Sequence, residues 1–144
     1  MNLTPPAPFV PPTEETRKSP LFDDGVMIRV PVTAFGKTLY FILDSGFTVS
    51  ALDARHRSSL GASLREYRTI TPLGTEAALP VFPCPPLAIA GHPLPLREIA
   101  CVDLTMARWI SGEPCDGILG ADFFAGTTLQ LDFDEKSIVV GEMP

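Results

Sequence analysis

Tyr40-Phe41-Ile42-Leu43-Asp44-Ser45-Gly46 is the stretch on which the fold turns. Apolar residues with strand character run directly into a carboxylate, and an unpaired carboxylate is very costly in a dry core. Asp44 must therefore leave the strand into a polar pocket. Ser45 supplies a hydroxyl that can donate and accept there, and Gly46 permits a sharp turn that brings a backbone amide close to the acid. Taken alone, Asp-Ser-Gly is also an ordinary turn, so its meaning depends on its surroundings.

On the amino-terminal side, Val26-Met27-Ile28-Arg29-Val30-Pro31-Val32 and Thr38-Leu39-Tyr40-Phe41-Ile42-Leu43 flank Ala34-Phe35-Gly36-Lys37 and read as a hairpin. Pro31 lacks a donor, which puts the first strand at an edge or kinks it. On the other side, Thr48 to Leu52 is strand-like, Asp53 can cap a short helix, and Gly61 can end it. Strands follow around Thr69-Ile70-Thr71, Ala77 to Val81, Leu87 to Ala90 and Ile99 to Val102, with turns at Pro72-Leu73-Gly74-Thr75 and Gly91-His92-Pro93. Asp103 to Cys115, which contains Trp109, shows no clear period. Gly117-Ile118-Leu119-Gly120 then leads to Ala121-Asp122-Phe123-Phe124, enough for a turn or two of helix. Thr127 to Asp132 and Ser137 to Val140 close the chain around an Asp134-Glu135-Lys136 turn. The pattern is that of an all-β domain of many short strands.

Two separated elements, Ile42-Leu43-Asp44-Ser45-Gly46 and Ile118-Leu119-Gly120, together resemble the retropepsin-like aspartic peptidases, most closely their bacterial single-domain branch. The resemblance runs from about Leu21 to Val140. It implies a closed β-barrel with one short helix after the Ile-Leu-Gly strand, and a homodimer in which Asp44 of each chain supplies half of a catalytic pair. Two carboxylates a hydrogen bond apart share a proton, so one serves as base and the other as acid. Ser45 and Gly46 are the implied supports of Asp44. Thr71, Pro72, Leu73, Gly74 and Thr75 fall where the family has its flap, with Gly74 at a tip that closes over an extended peptide. The implied activity is that of an endopeptidase needing no metal or organic cofactor.

The chain departs from the family at Phe47, where a small residue is usual, and in its proline-rich start. Phe47 motivates an alternative, an inactive dimerisation or peptide-binding module of the same fold. Another reading takes the domain as a unit cut from a longer protein. Residues 1–20 carry six prolines and read as an arm or linker, with the domain in 21–144. Because such a run makes a poor strand, dimerisation is expected to rest on Ser137-Ile138-Val139-Val140 and the turns around Asp44.

Length and composition agree with one domain: 144 residues, 45% hydrophobic and 19% charged. A net charge of −6 without a basic face argues against nucleic-acid binding. Cys84, Cys101 and Cys115 are odd in number and lack CxxC spacing, so they read as reduced thiols. The first residues lack a signal-peptide pattern, and no apolar run approaches the roughly 18 residues of a membrane span, which points to a cytoplasmic protein without membrane contact. His56 and His92 have no spacing for a triad or a metal and are expected in solvent. Asp122 is expected to cap the short helix or to pair with Arg55 or Arg57, Asp116 to sit in a turn, and Trp109 to be a core or interface residue.

Overall fold

The structure, a computed structural model, describes residues 18–70 and 74–142. Its strands are β1 (Lys18–Pro20), β2 (Phe22–Asp23), β3 (Ile28–Ala34), β4 (Lys37–Leu43), β5 (Ala51–Asp53), β6 (Arg65–Ile70), β7 (Glu76–Pro83), β8 (Ala88–Ile89), β9 (His92–Pro93), β10 (Glu98–Val102), β11 (Gly117–Leu119), β12 (Thr127–Asp132) and β13 (Ser137–Glu142). A 3-10 helix spans Ala54–Ser59, and two α-helices, α1 (Thr105–Ser111) and α2 (Ala121–Ala125), complete the elements.

Most strands join one sheet in the order β6-β7-β10-β5-β11-β4-β3-β8-β9, with β2 on β3, while β1, β13 and β12 form a second sheet. The domain is thus mostly β, as expected. The expected barrel closure is not among these pairings, since the described strands run from β6 to β9 as an open order. The short helix after Ile118-Leu119-Gly120 is present as α2. A further helix, α1, occupies the segment that showed no period in the sequence.

The β3–β4 hairpin forms as expected, turning through Phe35 and Gly36, both at positive φ. Pro31 lies opposite Tyr40. The Tyr40 backbone gives its N–H to Asp116 Oδ2 (2.9 Å) and takes the Asp116 N–H on its carbonyl (2.7 Å), away from β3. The missing Pro31 donor therefore faces the side of β3 where only β2 and Ala88 pair, near its two ends.

The core gathers Val30, Val32, Leu39, Phe41, Leu52, Ile89, Ile99, Leu119, Phe123, Ile138 and Val140, all nearly or fully buried. Gly117 is required inside it: a Cβ there would lie 2.4 Å from the Phe41 ring and 2.7 Å from the Ala51 carbonyl.

Three expectations need correction. Lys18–Pro20, assigned to the arm, forms β1 and pairs with Ser137–Val139. That strand of β13 is thereby covered on one edge by β1 and on the other by β12, so this part of it has no edge left for a second chain. Neither histidine lies in solvent. His92 is buried, and the His56 ring bonds Asp116 Oδ1 at 2.9 Å. No helix of the described residues is long and apolar enough to cross a membrane.

Candidate active site

Asp44 is positioned by the register of two parallel strands. Ile42 pairs with Ile118 and Leu43 with Leu119, and where β4 ends the Asp44 N–H still donates to the Leu119 carbonyl at 3.0 Å. The chain then turns sharply. Phe47 N–H donates to the Asp44 carbonyl (3.1 Å), and Gly46 N–H donates to the Asp44 side chain at Oδ1 (3.0 Å). The amide expected next to the acid is therefore there, and Asp44, Ser45 and Gly46 are all exposed in the single chain.

What holds this loop is largely Ser50, which the sequence reading passed over. Its N–H reaches both carboxylate oxygens of Asp122 (3.0 and 3.1 Å), its hydroxyl donates to Asp122 Oδ1 (2.6 Å), and the same hydroxyl accepts from Gly120 N–H (2.9 Å). Asp122 also accepts from Phe123 N–H in the first turn of α2 (2.8 Å). Its role is structural as expected, but its partner is this fully buried serine rather than Arg55 or Arg57. The Phe47 carbonyl accepts from Ala121 N–H (2.8 Å), and a Cβ at Gly120 would stand 2.4 Å from that oxygen. The second glycine of the Ile-Leu-Gly element thus makes room for the Asp44 loop to lie on the start of α2. The only signal for Ser50 in the sequence was a polar residue between the apolar Val49 and Ala51.

A cleft of about 500 Å³ opens beside Asp44. Ile42 and Ile118 contribute from the strands, Val26 to Ile28 from the segment leading into β3, and Leu104 and Ala107 from α1. Phe47 is absent from its lining. The half-buried ring packs against a cluster that includes the cleft-lining Ile42, Leu104 and Ile118, and against a second around Ala51 and Ala100.

A buried ion-pair group anchors α1 along the cleft. Asp53, fully buried, accepts from Leu104 N–H (2.8 Å), from Arg108 (2.9 Å) and from Arg55. Burial pushes its carboxyl up, but the bonds from Arg55, Leu104 and Arg108 together outweigh that and hold it below the usual aspartate value of 3.8. Asp116, expected in a simple turn, ties Tyr40, Arg55 and His56 together.

The flap residues divide. Thr71, Pro72 and Leu73 lie outside the described residues. Gly74, at φ 79°, and Thr75 are exposed between β6 and β7, which pair from Arg65↔Val81 to Ile70↔Glu76. The base of this hairpin meets the Asp44 loop, because Tyr67 and Leu79 pack in the same cluster as Phe47 and Val49. Among the described residues no group of three or more His, Cys, Asp or Glu side chains is arranged to hold a metal ion.

No family model and no curated protein matches the sequence. Solved structures do. The retroviral protease-like domain of Ddi1 from Leishmania major is similar at 17% identity and a TM-score of 0.53, over 82% of this chain and 94% of that one. A retropepsin-like aspartic protease from Rickettsia conorii is similar at 14% identity and a TM-score of 0.56, over 85% of this chain and 87% of that one. At these identities the likeness establishes the fold, which is retropepsin-like.

Proposed function

We propose that this chain is an aspartic endopeptidase that acts as a homodimer and hydrolyses peptide bonds with a water held between two Asp44 carboxyls. The observation that carries the reading is Asp44 itself: an exposed carboxylate on a pinned loop, at the end of an apolar cleft, in a retropepsin-like fold. One such group per chain is half of an acid-base pair, and a twofold axis through the loops supplies the other half.

The chemistry follows from one shared proton. The ionised Asp44 takes a proton from the water as its oxygen bonds to the peptide carbonyl carbon, and the protonated Asp44 of the second copy gives its proton to the carbonyl oxygen. A neutral gem-diol results, with one proton again on the pair. That proton then passes to the amide nitrogen, a diol hydroxyl returns its proton to the other carboxylate, and the C–N bond breaks. Ser45 and Gly46 orient the acid, and the Gly46 N–H bond to Oδ1 leaves Oδ2 for the water. The Thr71, Pro72, Leu73, Gly74 and Thr75 hairpin covers the substrate. No metal or organic cofactor takes part.

Phe47 was the reason to consider an inactive module, and its half-buried ring packs with the cleft-lining residues Ile42, Leu104 and Ile118 without itself lining the cleft. With Ser137–Val139 covered by β1, the two copies meet through their Asp44 loops and the strand residues beyond Val139. The direct test is cleavage of a mixture of unstructured peptides at mildly acid pH by the natural protein and by Asp44→Asn. The proposal requires cleavage by the first, none by the second, and the same melting curve for both. Equal cleavage by the two refutes it.

A further inference from the structure

Helix α1 is inside out. A surface helix ordinarily turns its charges to water and its apolar side chains to the core. In α1, Met106, Trp109 and Ile110, spaced one turn apart on one face, are 62%, 78% and 63% exposed. The opposite face carries Arg108, which reaches down to the buried Asp53 and donates to the Cys115 carbonyl. The apolar attachment of α1 is through Leu104, which is buried, and Ala107, which is half-buried, joined by the Arg108 ion pair with Asp53, its bond to the Cys115 carbonyl and the Leu104 N–H bond to Asp53. Among the described residues nothing covers these three large apolar side chains.

The position of the helix says what would cover them. Leu104 and Ala107 line the Asp44 cleft, and Ile110 is one helical turn from Ala107, so the outer face continues the cleft wall beyond its rim. The three exposed side chains offer on the order of 400 Å², within the range of functional patches on monomers but about half of what each partner contributes to a stable protein interface. A chain segment lying across the strip fits that area; a second folded copy needs more. Asp103 at the start of α1 and Asp24, which holds the Val26 and Met27 amides at the opposite rim, are exposed carboxylates. Both favour basic residues next to the apolar ones.

We propose that Met106, Trp109 and Ile110 form a docking strip for the polypeptide substrate, taking apolar side chains several residues away from the bond that is cut, in a segment that also carries Lys or Arg. This rests on the peptidase reading and adds to it a substrate class: extended, apolar segments long enough to reach from the Asp44 loop to the outside of α1.

Trp109 is the only tryptophan in the chain, so it reports on the strip directly. The probe is oxidised insulin B chain, an unfolded, apolar peptide without tryptophan, added to the Asp44→Asn protein so that binding is seen without cleavage. The expected result is a blue shift of Trp109 emission with protection from acrylamide quenching. Met106→Gln and Ile110→Gln, both at exposed positions, should each weaken this binding about ten-fold and raise KM for the B chain by the same factor in the active protein, with kcat unchanged. Cleavage of the B chain by the natural protein with no change in Trp109 emission overturns the strip and leaves the peptidase reading standing. A blue shift that appears with protein concentration alone overturns it in favour of a second copy. A peptide-dependent shift without any cleavage by the natural protein supports the strip and removes the peptidase reading.

Discussion

Replacing Gly120 by alanine tests whether the Ile-Leu-Gly element exists to let the Asp44 loop lie against α2. Gly120 has an ordinary φ of −99°, so its backbone accepts any residue and the effect is one of space alone. The new Cβ would stand 2.4 Å from the Phe47 carbonyl oxygen and 3.2 Å from the carbonyl carbons of Phe47 and Val49, and every one of these atoms is backbone. Ordinary contact requires the loop to retreat by about 1 Å, which strains the packing at a typical cost of ~1–3 kcal/mol. The same retreat breaks the 2.8 Å Ala121 N–H bond to Phe47, worth about 1 kcal/mol more. A total of about 2–4 kcal/mol corresponds to a fall in melting temperature on the order of 6–15 °C for a domain of this size. A displacement of that size at the acid should also lower kcat/KM by roughly 100-fold. Differential scanning fluorimetry and the peptide assay read both effects. Gly61→Ala is the control, because nothing lies within 4 Å of a Cβ there and φ is not positive. A Gly120→Ala melting temperature within about 2 °C of the natural protein would refute the reasoning.

The same loop should fail from its other side. Asp122→Ala leaves the buried Ser50 N–H and hydroxyl without their acceptor and is expected to cost about 2–4 kcal/mol in urea unfolding, while a cost under about 0.5 kcal/mol would show that Asp122 is not the anchor. The Asp53 group makes stability depend on pH. Its carboxyl is held below its unfolded value of 3.8, so the unfolded chain takes up the proton first as the solution is acidified. The contribution of Asp53 is thus complete above the ordinary aspartate range and is lost as pH falls through the depressed folded value. Melting temperatures of Asp53→Asn from pH 7 to pH 3 should start lower and fall less steeply than those of the natural protein; parallel curves would contradict the assignment. Burial pushes the Cys84 thiol up to about 12 and also raises those of Cys101 and Cys115. All three should resist iodoacetamide at pH 8 in the folded protein and react after unfolding, as read by mass spectrometry.

Much of the site could be read from the sequence because its logic is local. A carboxylate after an apolar run has to turn out of the strand, and Gly46 supplies the amide that meets it. Gly120 was legible as part of a motif, though its reason, the Phe47 carbonyl 73 residues earlier in the sequence, is visible only in three dimensions. Ser50 and Asp122 meet across 72 residues, and an arginine looked the better partner for the acid because charge was the only cue available. Helix α1 escaped notice for a definite reason. Its buried face carries Arg108 and its exposed face carries Trp109, so the apolar period points away from the core and the usual reading finds no helix at all. Lys18–Pro20 was read as part of the arm because prolines argue against strands, yet Pro20 sits at the last position of the edge strand β1, where its missing N–H costs least.

The claim that one acid per chain makes a site between two chains is tested most directly by mixing. The natural protein and Asp44→Asn are combined in varied proportion at constant total concentration, left to exchange subunits, and assayed on one peptide. If both acids of a pair are needed, activity follows the square of the natural fraction, and an equal mixture retains about a quarter of the starting rate. A straight-line decline, with about half of the rate left at that point, would show that each chain works alone and would contradict the shared site.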